Sequence, residues 1–182
     1  PIWRCRSWFK SVFLVRKMPI FVLKKNPCLR IENRVMPSGP TFSDIMANIA
    51  FFVGLMHNIS TDYDVPEKSI DFATARDNFY ACAKDGLNAK ITWKNGRKFV
   101  AKDLILENLL PRAIDGLNSL GSSNKDIDLY LKDIIYNRIK TEQNGASWQR
   151  KFVAKHGQDF QLLTKQYIEN QRSSIPVHEW KV

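Results

Sequence analysis

Residues 28–41 read CLRIENRVMPSGPT, a strand-like stretch followed by a turn and the start of a helix. In an extended strand the side chains alternate between two faces. One face is apolar and carries Leu29, Ile31 and Val35. The opposite face is charged and carries Arg30, Glu32 and Arg34. The two prolines and the glycine at positions 37, 40 and 39 predict that a turn ends the strand.

The charged face allows two interpretations. Like charges two residues apart on one strand face repel each other unless another group lies between them. A carboxylate between two guanidiniums suits a magnesium nucleotide, because the carboxylate can bind the metal while the guanidiniums contact phosphate oxygens. The alternative is a half-exposed edge strand with solvated charges, and the spacing alone favours that alternative.

The same stretch resembles the strand and turn of bacterial glutamate–cysteine ligase-like carboxylate–amine ligases. The likeness continues in order over residues 27–181, through further blocks of sequence. These blocks are Asn78–Tyr80, Asp85–Leu87, Thr92-Trp93, Asp103–Pro111, Gly116-Leu117, Tyr130-Leu131, Gly145-Ala146 with Trp148, and Pro176–Trp180. Two features depart from the family: relatives often have His in place of Cys28, and residues 1–26 show no likeness.

The resemblance implies an enzyme that joins glutamate to an amine such as cysteine through an acyl-phosphate, as in glutathione biosynthesis, with ATP and Mg²⁺ as cofactors. It implies Glu32 as the metal ligand and Arg34 as a catalytic clamp on phosphate. Arg30 is a candidate nucleotide ligand, although it could equally brace Glu32. These roles suit the chemistry, because phosphoryl transfer depends on positioning the reactants and neutralising their charge.

The resemblance also implies a fold and a boundary. The family has a glutamine-synthetase-like active-site sheet, of which this chain shows only the Glu-x-Arg strand, and its enzymes are much longer. Residues 27–182 are therefore expected to be the C-terminal part of a ligase domain, inactive without its N-terminal part. A first residue of Pro1 rather than Met agrees with this expectation.

The net charge of +10 is concentrated at the N-terminus, where residues 1–34 carry nine Lys or Arg and a single acidic residue. The rest of the chain has a mixed charge, whereas a nucleic-acid-binding protein normally carries a basic folded face. An alternative function follows from the basic and aromatic start at Trp3–Lys10. In that alternative the chain is a non-catalytic helical module that binds a partner or an anionic surface through its N-terminus.

The cysteines and the apolar runs indicate a cytoplasmic protein. Cys5, Cys28 and Cys82 are odd in number and lack a Cys-x-x-Cys pair, which argues against a disulfide framework and a structural zinc site. The apolar runs Val12–Val15 and Pro19–Leu23 are interrupted by two basic residues and are shorter than the roughly 20 residues of a membrane helix. No membrane or nucleic-acid partner is expected, and the sequence leaves open whether the chain forms a homo-oligomer.

The periodicity of the remaining chain predicts an α+β fold that is predominantly helical. A first helix begins at Thr41 or Ser43 and reaches about His57, and its apolar residues on nearly all sides predict burial on several sides. A second helix begins at Asp64 and reaches about Lys84. Its expected apolar face comprises Ile70, Ala73, Phe79 and Ala83.

The later elements follow from turn and cap residues. Lys94-Asn95-Gly96 between two β-rich runs predicts a hairpin over residues 89–100. A helix from Asp103 to Leu120 is expected to kink or divide at Pro111. Three further helices are expected. The first begins at Ser123 and has an apolar stripe at Ile127, Leu131, Ile134, Ile135 and Ile139. The second covers Ala146–Lys155, and the third begins at Asp159 and carries Phe160, Leu162, Leu163, Tyr167 and Ile168.

Other chemistry-bearing residues are assigned structural roles. The histidines at 57, 156 and 178 are dispersed, which disfavours metal binding, and the expected roles are helix-end contacts and docking of the C-terminus. Trp148 and Arg150 stand at a helix start that could meet an anion, but packing of Trp148 is favoured. Cys82 is expected to be a small core residue.

Overall fold

The computed structural model describes residues 39–61 and 70–182 of the chain. The helices in these residues are α1 Phe42–Thr61, α2 Phe72–Asp85, α3 Ala101–Leu104, α4 Leu110–Ser119, α5 Asn124–Ile127, α6 Tyr136–Lys140, α7 Gly145–His156 and α8 Phe160–Arg172. The π-helical segments Ile105–Leu109 and Asp128–Ile135 join α3 to α4 and α5 to α6, and strands β1 Lys90–Thr92 and β2 Lys98–Val100 form an antiparallel hairpin. The predicted α+β, predominantly helical class is confirmed for the described residues.

The predicted hairpin is present, with Ile91 opposite Phe99. Its turn requires two residues with positive φ, and Asn95 and Gly96 adopt φ of 58° and 72°. The side chain of Asn78 on α2 accepts a hydrogen bond from Thr92 N at 2.8 Å and donates one to Thr92 O at 2.6 Å. This bidentate contact fixes α2 to the hairpin.

The main core forms where α1 and α4 meet the helical rod of residues 124–140. The five residues of the predicted stripe are all buried there: Ile127, Leu131, Ile134, Ile135 and Ile139. Leu110, Ala113 and Leu117 of α4 and Ala47 of α1 complete the cluster. The stripe was predictable because positions on one face of a helix recur every three or four residues.

Helices α1 and α4 cross at two glycines. A Cβ added to Gly116 would lie 1.9 Å from the Gly54 carbonyl oxygen, and one added to Gly54 would lie 2.2 Å from the Ala113 oxygen. No side chain fits in either place, so glycine at both positions permits the backbones to touch. Two of the four buried residues of α1, Ala47 and Gly54, are therefore small.

The prediction that α1 is buried on several sides is wrong for the described residues. Ile49 and Val53 are each 41% exposed, while Ala47 and Gly54 are buried. Helix α1 also has the length and the mean hydropathy, 1.2, of a membrane span, with only 22% of that window buried. One such helix is weak support for a span, because the core helices of soluble proteins share this composition, and α1 packs against α4.

Helix α2 differs from its prediction at its start and on its expected face. It begins after Asp71, whose Oδ1 accepts a hydrogen bond from Thr74 N at 2.7 Å, while the expected cap at Asp64 lies outside the described residues. Of the expected face, Ile70 is buried just before the helix, whereas Ala73, Phe79 and Ala83 are exposed and Ala75 is buried instead. Contact with the hairpin through Asn78 turns that expected face outward. The helix ends at Gly86, which has φ of 58°.

The predicted interruption at Pro111 is present as a change of helix type. Residues Ile105–Leu109 are π-helical, and Pro111 is the second residue of α4. Proline has no N–H to donate to the carbonyl four residues earlier, and a widened turn accommodates that missing bond. The helix expected from Asp103 begins at Ala101 instead: it follows directly on β2, and Ala101 N donates to Ala89 O at 2.8 Å.

The C-terminus docks on α7 and α8 through an aromatic cluster. Trp148 is fully buried, its ring centroid lies 5.4 Å from that of Trp180, and its Nε1 donates to Lys181 O at 3.0 Å. Phe152 and Tyr167 contact the same ring. The expected apolar side of α8 is only partly used, because Phe160 is 62% exposed.

Candidate functional site

The predicted site residues Arg30, Glu32 and Arg34 lie outside the described residues. Their alternation on a strand and their roles therefore remain predictions. The structure describes the motif from Gly39 onward, where the turn meets α1. The contacts made at this junction are what the structure contributes to the candidate site.

A buried carboxylate, Asp44, holds the junction in place. It is fully buried, and its Oδ2 accepts hydrogen bonds from Thr41 N at 3.2 Å, Thr41 Oγ1 at 2.8 Å and Val177 N at 3.2 Å. The Thr41 hydroxyl in turn accepts a bond from Asp44 N at 3.2 Å, which completes a cap of α1. The last residue of the motif is thus tied to the C-terminal segment.

Arg138 on α6 supplies the positive charge for this carboxylate. Its Nη2 donates to Asp44 Oδ1 at 2.7 Å, and its Nη1 donates to Asn48 Oδ1 at 2.6 Å. The Arg138 side chain is 14% exposed, so burial lowers its pKa, whereas the charge of Asp44 acts in the opposite direction. Removal of one partner from a buried ion pair typically costs about 3–5 kcal/mol, because the other charge is left without compensation.

A second set of contacts holds the turn itself between α7 and α8. Gln171 Nε2 donates to Pro40 O at 2.9 Å. A Cβ on Gly145 would lie 3.1 Å from the Pro40 ring and 3.3 Å from the Tyr167 hydroxyl, so these groups approach closely. Burial raises the pKa of Tyr167, and the negative charge of Asp44 raises it further. The Gly39–Thr41 turn therefore has a fixed position on the helical body.

The C-terminal block reaches the same site through Gln143. Its side chain is buried, and its Nε2 donates to Val177 O at 3.0 Å and to Trp180 O at 2.8 Å. Val177 is thus bonded at both its backbone groups, because its N–H donates to Asp44 Oδ2. The expected terminal docking of the Pro176–Trp180 block is confirmed, and its role is to complete the surroundings of the buried carboxylate.

The described residues do not fit a metal site. No group of three or more His, Cys, Asp or Glu side chains converges anywhere in residues 39–61 and 70–182. His156 stacks on Phe152 with a centroid separation of 4.5 Å. His178 is 6% exposed at its side chain, and its Nε2 lies 3.7 Å from Glu179 Oε1. A magnesium ion would need Glu32 and ligands from outside the described residues.

Two further expectations are settled by burial. Trp148 is packed in the interior and Arg150 is exposed, in agreement with packing of Trp148 at the start of α7. The expectation that Cys82 is a core residue is wrong, because Cys82 is exposed. Helix α2 is buried at Ala75 and bonded to the hairpin at Asn78, which leaves Cys82 outside the core.

The hairpin, the segment 104–108 and the start of α4 line a cleft of about 560 Å³ that the sequence did not indicate. Its walls combine aromatic, apolar, cationic and amide side chains with one carboxylate: Trp93, Lys94, Asn95, Arg97, Phe99, Leu104, Glu107, Asn108 and Arg112. Arg112 Nε donates to Asn58 Oδ1 at 2.7 Å, so this wall is also tied to α1. The lining residues all lie within residues 93–112, and the return of the chain from the hairpin into the following helix brings them together.

The Asp44–Arg138 pair was also missed, although a weak signal for it exists. Asp44 is the one carboxylate in a mostly apolar helix and lies on the side that also carries Ala47, which indicates a buried carboxylate with a partner. The partner itself is 94 residues away in the chain, and no local pattern identifies it.

Comparison of the chain with protein-family models, with curated proteins and with solved structures found no match. The resemblance of residues 27–181 to carboxylate–amine ligases therefore remains a prediction from the motifs quoted above.

Proposed function

We propose that this chain is the C-terminal part of an ATP-dependent carboxylate–amine ligase similar to glutamate–cysteine ligase. The reaction would form a γ-glutamyl amide bond through an acyl-phosphate, with glutamate and an amine such as cysteine as substrates. The observation that carries this proposal is the Leu29–Thr41 motif, with its Arg-Glu-Arg face. The whole enzyme would have a glutamine-synthetase-like fold and act in the cytoplasm.

In this proposal the motif and the described residues have different tasks. Glu32 would hold magnesium, Arg34 would contact the transferred phosphate, and Arg30 would contact the nucleotide. Magnesium, when bound, neutralises phosphate charge. The described residues would act as the support that positions this strand, because a misplacement of about 1 Å in a reacting group can cost a hundredfold in rate.

The contacts of the blocks that carry the resemblance support this division. Asn78 bonds to Thr92, which joins two of the blocks. Gly116 permits the closest approach of α4 to α1. The Pro176–Trp180 block reaches Asp44 through Val177. Gly116 and Val177 thus have scaffold roles that converge on α1, the helix that directly follows the motif, while Asn78 fixes α2 to the hairpin.

The test is ligase activity in the product of the complete reading frame that contains this chain. We expect ADP release that requires both glutamate and an amine such as cysteine. Glu32→Gln keeps the size of the side chain but removes its charge, so activity should fall more than tenfold, or by more than about 1.4 kcal/mol of transition-state stabilisation. Glu169→Gln, at an exposed position on α8, is the matched control and should retain activity.

Two further measurements separate the proposal from its alternative. The 182-residue chain alone should release no ADP, because one strand provides neither a nucleotide pocket nor enough ligands for the metal. Arg34→Lys should also impair the whole enzyme, since an ammonium cannot reproduce a forked contact to phosphate. A complete product that releases no ADP with any amino acid, but binds anionic vesicles through residues 1–26, would instead support the non-catalytic binding module.

A further inference from the structure

The cleft between the hairpin and the segment that returns from it, residues 101–112, has an aromatic floor, and we call it the hairpin cleft. Its floor is formed by Trp93, Phe99 and Leu104. All three pack in the small core cluster around Ala89 and Ile91, where Leu104 is 2% exposed. Trp93 and Phe99 are half-buried, so the core fixes the two rings while the hairpin cleft leaves part of each accessible.

The register of the hairpin places a cation beside this floor. Ile91 lies opposite Phe99, and the next pair toward the turn is Trp93 and Arg97, joined by a hydrogen bond from Trp93 N to Arg97 O at 2.7 Å. Opposite residues, and residues two apart on one strand, share a face of a hairpin. Trp93, Arg97 and Phe99 therefore lie on the face that contacts the core, and a guanidinium stands at the edge of the aromatic floor.

The charge of the hairpin cleft is positive. Three of its lining residues are cations, Lys94, Arg97 and Arg112, and one is an acid, Glu107. The stretch 86–102 that builds the hairpin contains five Lys or Arg and no Asp or Glu. A concave surface lined mainly by one sign of charge raises the local concentration of ions of the opposite sign. The hairpin cleft therefore favours an anionic ligand.

We propose that the hairpin cleft binds a nucleoside monophosphate. The base would stack on Trp93, and the phosphate would contact the guanidinium of Arg97, whose forked donors match phosphate oxygens. The amides of Asn95 and Asn108 offer donors and acceptors to the edge of a base, and the carboxylate of Glu107 accepts a hydrogen bond from a sugar hydroxyl. Free phosphate would leave the aromatic floor unused. The volume of about 560 Å³ suits a small molecule, since such sites measure about 300–1,000 Å³.

The division of the cations between two faces favours a small ligand over a nucleic-acid strand. Lys98 lies opposite Thr92 and Lys90 lies opposite Val100, so both exposed lysines are on the face of the hairpin away from Trp93. A protein groove for single-stranded nucleic acid needs cations that follow the sugar-phosphate backbone. The lysines of the strands do not extend the hairpin cleft into such a row.

The walls of the hairpin cleft are held in place by the fold. Asn78 bonds to both backbone groups of Thr92, the neighbour of Trp93. Arg112 Nε donates to Asn58 Oδ1 at 2.7 Å. The opposite wall includes part of the π-helical segment 105–109, and such segments are frequent at functional sites. A site that is already ordered loses less conformational entropy when a ligand binds.

Isothermal titration calorimetry on the complete 182-residue chain tests the proposal, with AMP and UMP as purine and pyrimidine probes. We expect saturable binding of at least one of them at one site per chain. The corresponding nucleoside and inorganic phosphate should each bind at least about tenfold more weakly, because each makes only part of the contacts. The proposal does not rest on the ligase function, since calorimetry measures binding without turnover and either result can fail without the other.

Two neighbouring exposed residues provide a matched pair of variants. Arg97→Ala should weaken nucleotide binding at least about tenfold. Lys98→Ala removes the same charge from the opposite face of the hairpin and should change binding less than about twofold. Trp93→Leu keeps an apolar side chain on the core but removes the ring, and it should weaken binding at least about fivefold. Circular dichroism shows whether each variant is folded, and if Trp93→Leu is not, the exposed pair still decides.

Several results would overturn the proposal. These are no saturable binding of either nucleotide, equal losses in Arg97→Ala and Lys98→Ala, undiminished binding by folded Trp93→Leu, or phosphate that binds as tightly as the nucleotide. Single-stranded RNA of about eight nucleotides is the remaining probe. If it binds through Arg97 at least about tenfold more tightly than either nucleotide, nucleic acid is the occupant and the proposal is wrong.

Discussion

The buried carboxylate Asp44 has an exposed counterpart, Asp126, in the first turn of α5. In both places a hydroxyl three residues earlier accepts a hydrogen bond from the aspartate N–H, at 3.2 Å from Thr41 and 3.1 Å from Ser123. Both hydroxyls also donate to the carboxylate, at 2.8 Å and 2.7 Å. Asp44 differs in that it is fully buried and paired with Arg138. Equivalent substitutions at the two sites therefore separate what burial and ion pairing contribute to the free energy of unfolding from what the cap contributes.

We expect Asp44→Asn to lower the free energy of unfolding by about 3–5 kcal/mol, because Arg138 keeps a charge that is 14% exposed and loses its partner. Asp126→Asn should cost about 1 kcal/mol or less, as is typical of exposed capping interactions. Urea denaturation followed by circular dichroism measures both. With a slope of about 2 kcal/mol per molar urea, Asp44→Asn should lower the midpoint by about 1.5–2.5 M.

The double variant Asp44→Asn, Arg138→Met tests the mechanism. Removal of both charges should recover part of the stability lost in Asp44→Asn, since no uncompensated buried charge remains. The coupling between the two sites should therefore differ clearly from zero. The reasoning is refuted if Asp44→Asn costs no more than Asp126→Asn, or if the two single effects simply add.

Three other perturbations test the scaffold. Gly116→Ala should lower the free energy of unfolding by about 2 kcal/mol or more in urea denaturation, because the added Cβ would lie 1.9 Å from a carbonyl oxygen of α1. This clash outweighs the roughly 1 kcal/mol that alanine gains in helix propensity. Unchanged stability would contradict the close crossing. Leu131→Ala should lower the free energy of unfolding by about 2–5 kcal/mol in the same assay. Leu129→Ala, at a 41% exposed position, should lower it by under about 1 kcal/mol. Equal losses of stability would contradict the assignment of the core. The backbone N–H of Thr74 holds the pKa of Asp71 below its ordinary value of 3.8. Asp71→Ala should therefore lower the thermal midpoint above that pH, and the gap between the midpoints of the two proteins should shrink as the pH falls through the lowered pKa. A gap that does not depend on pH would argue against a charged cap.

The elements of the fold were largely predictable because their signals are local. Ser123 and Asp159 cap the helices they were expected to begin, and Asn95 and Gly96 form the expected turn. The stripe from Ile127 to Ile139 is buried as its period indicates. Each of these features depends on residues within one or two turns of each other, which is the range over which a backbone preference or a helix face is set.

The faces of α1 and α2 were not predictable, because burial depends on the packing partner. Large apolar residues on α1 predicted a core contact, yet the side that packs is the one with Gly54, since only a small residue lets α4 approach so closely. On α2 the side chain of Asn78 determines which side meets the hairpin, and Phe79 is turned outward. Apolar character shows that a surface prefers burial, but not which neighbour provides it.

The sequence by itself determined the charge pattern of the Leu29–Thr41 motif, and with it the expectation of a ligase. Only the tertiary structure showed that Thr41 at the end of this motif is tied through Asp44 to Arg138 and Val177. These partners lie 94 and 133 residues from Asp44 in the chain. A hydrogen bond or an ion pair has no periodicity in sequence, so contacts between distant residues become visible only when the packed helices bring them together.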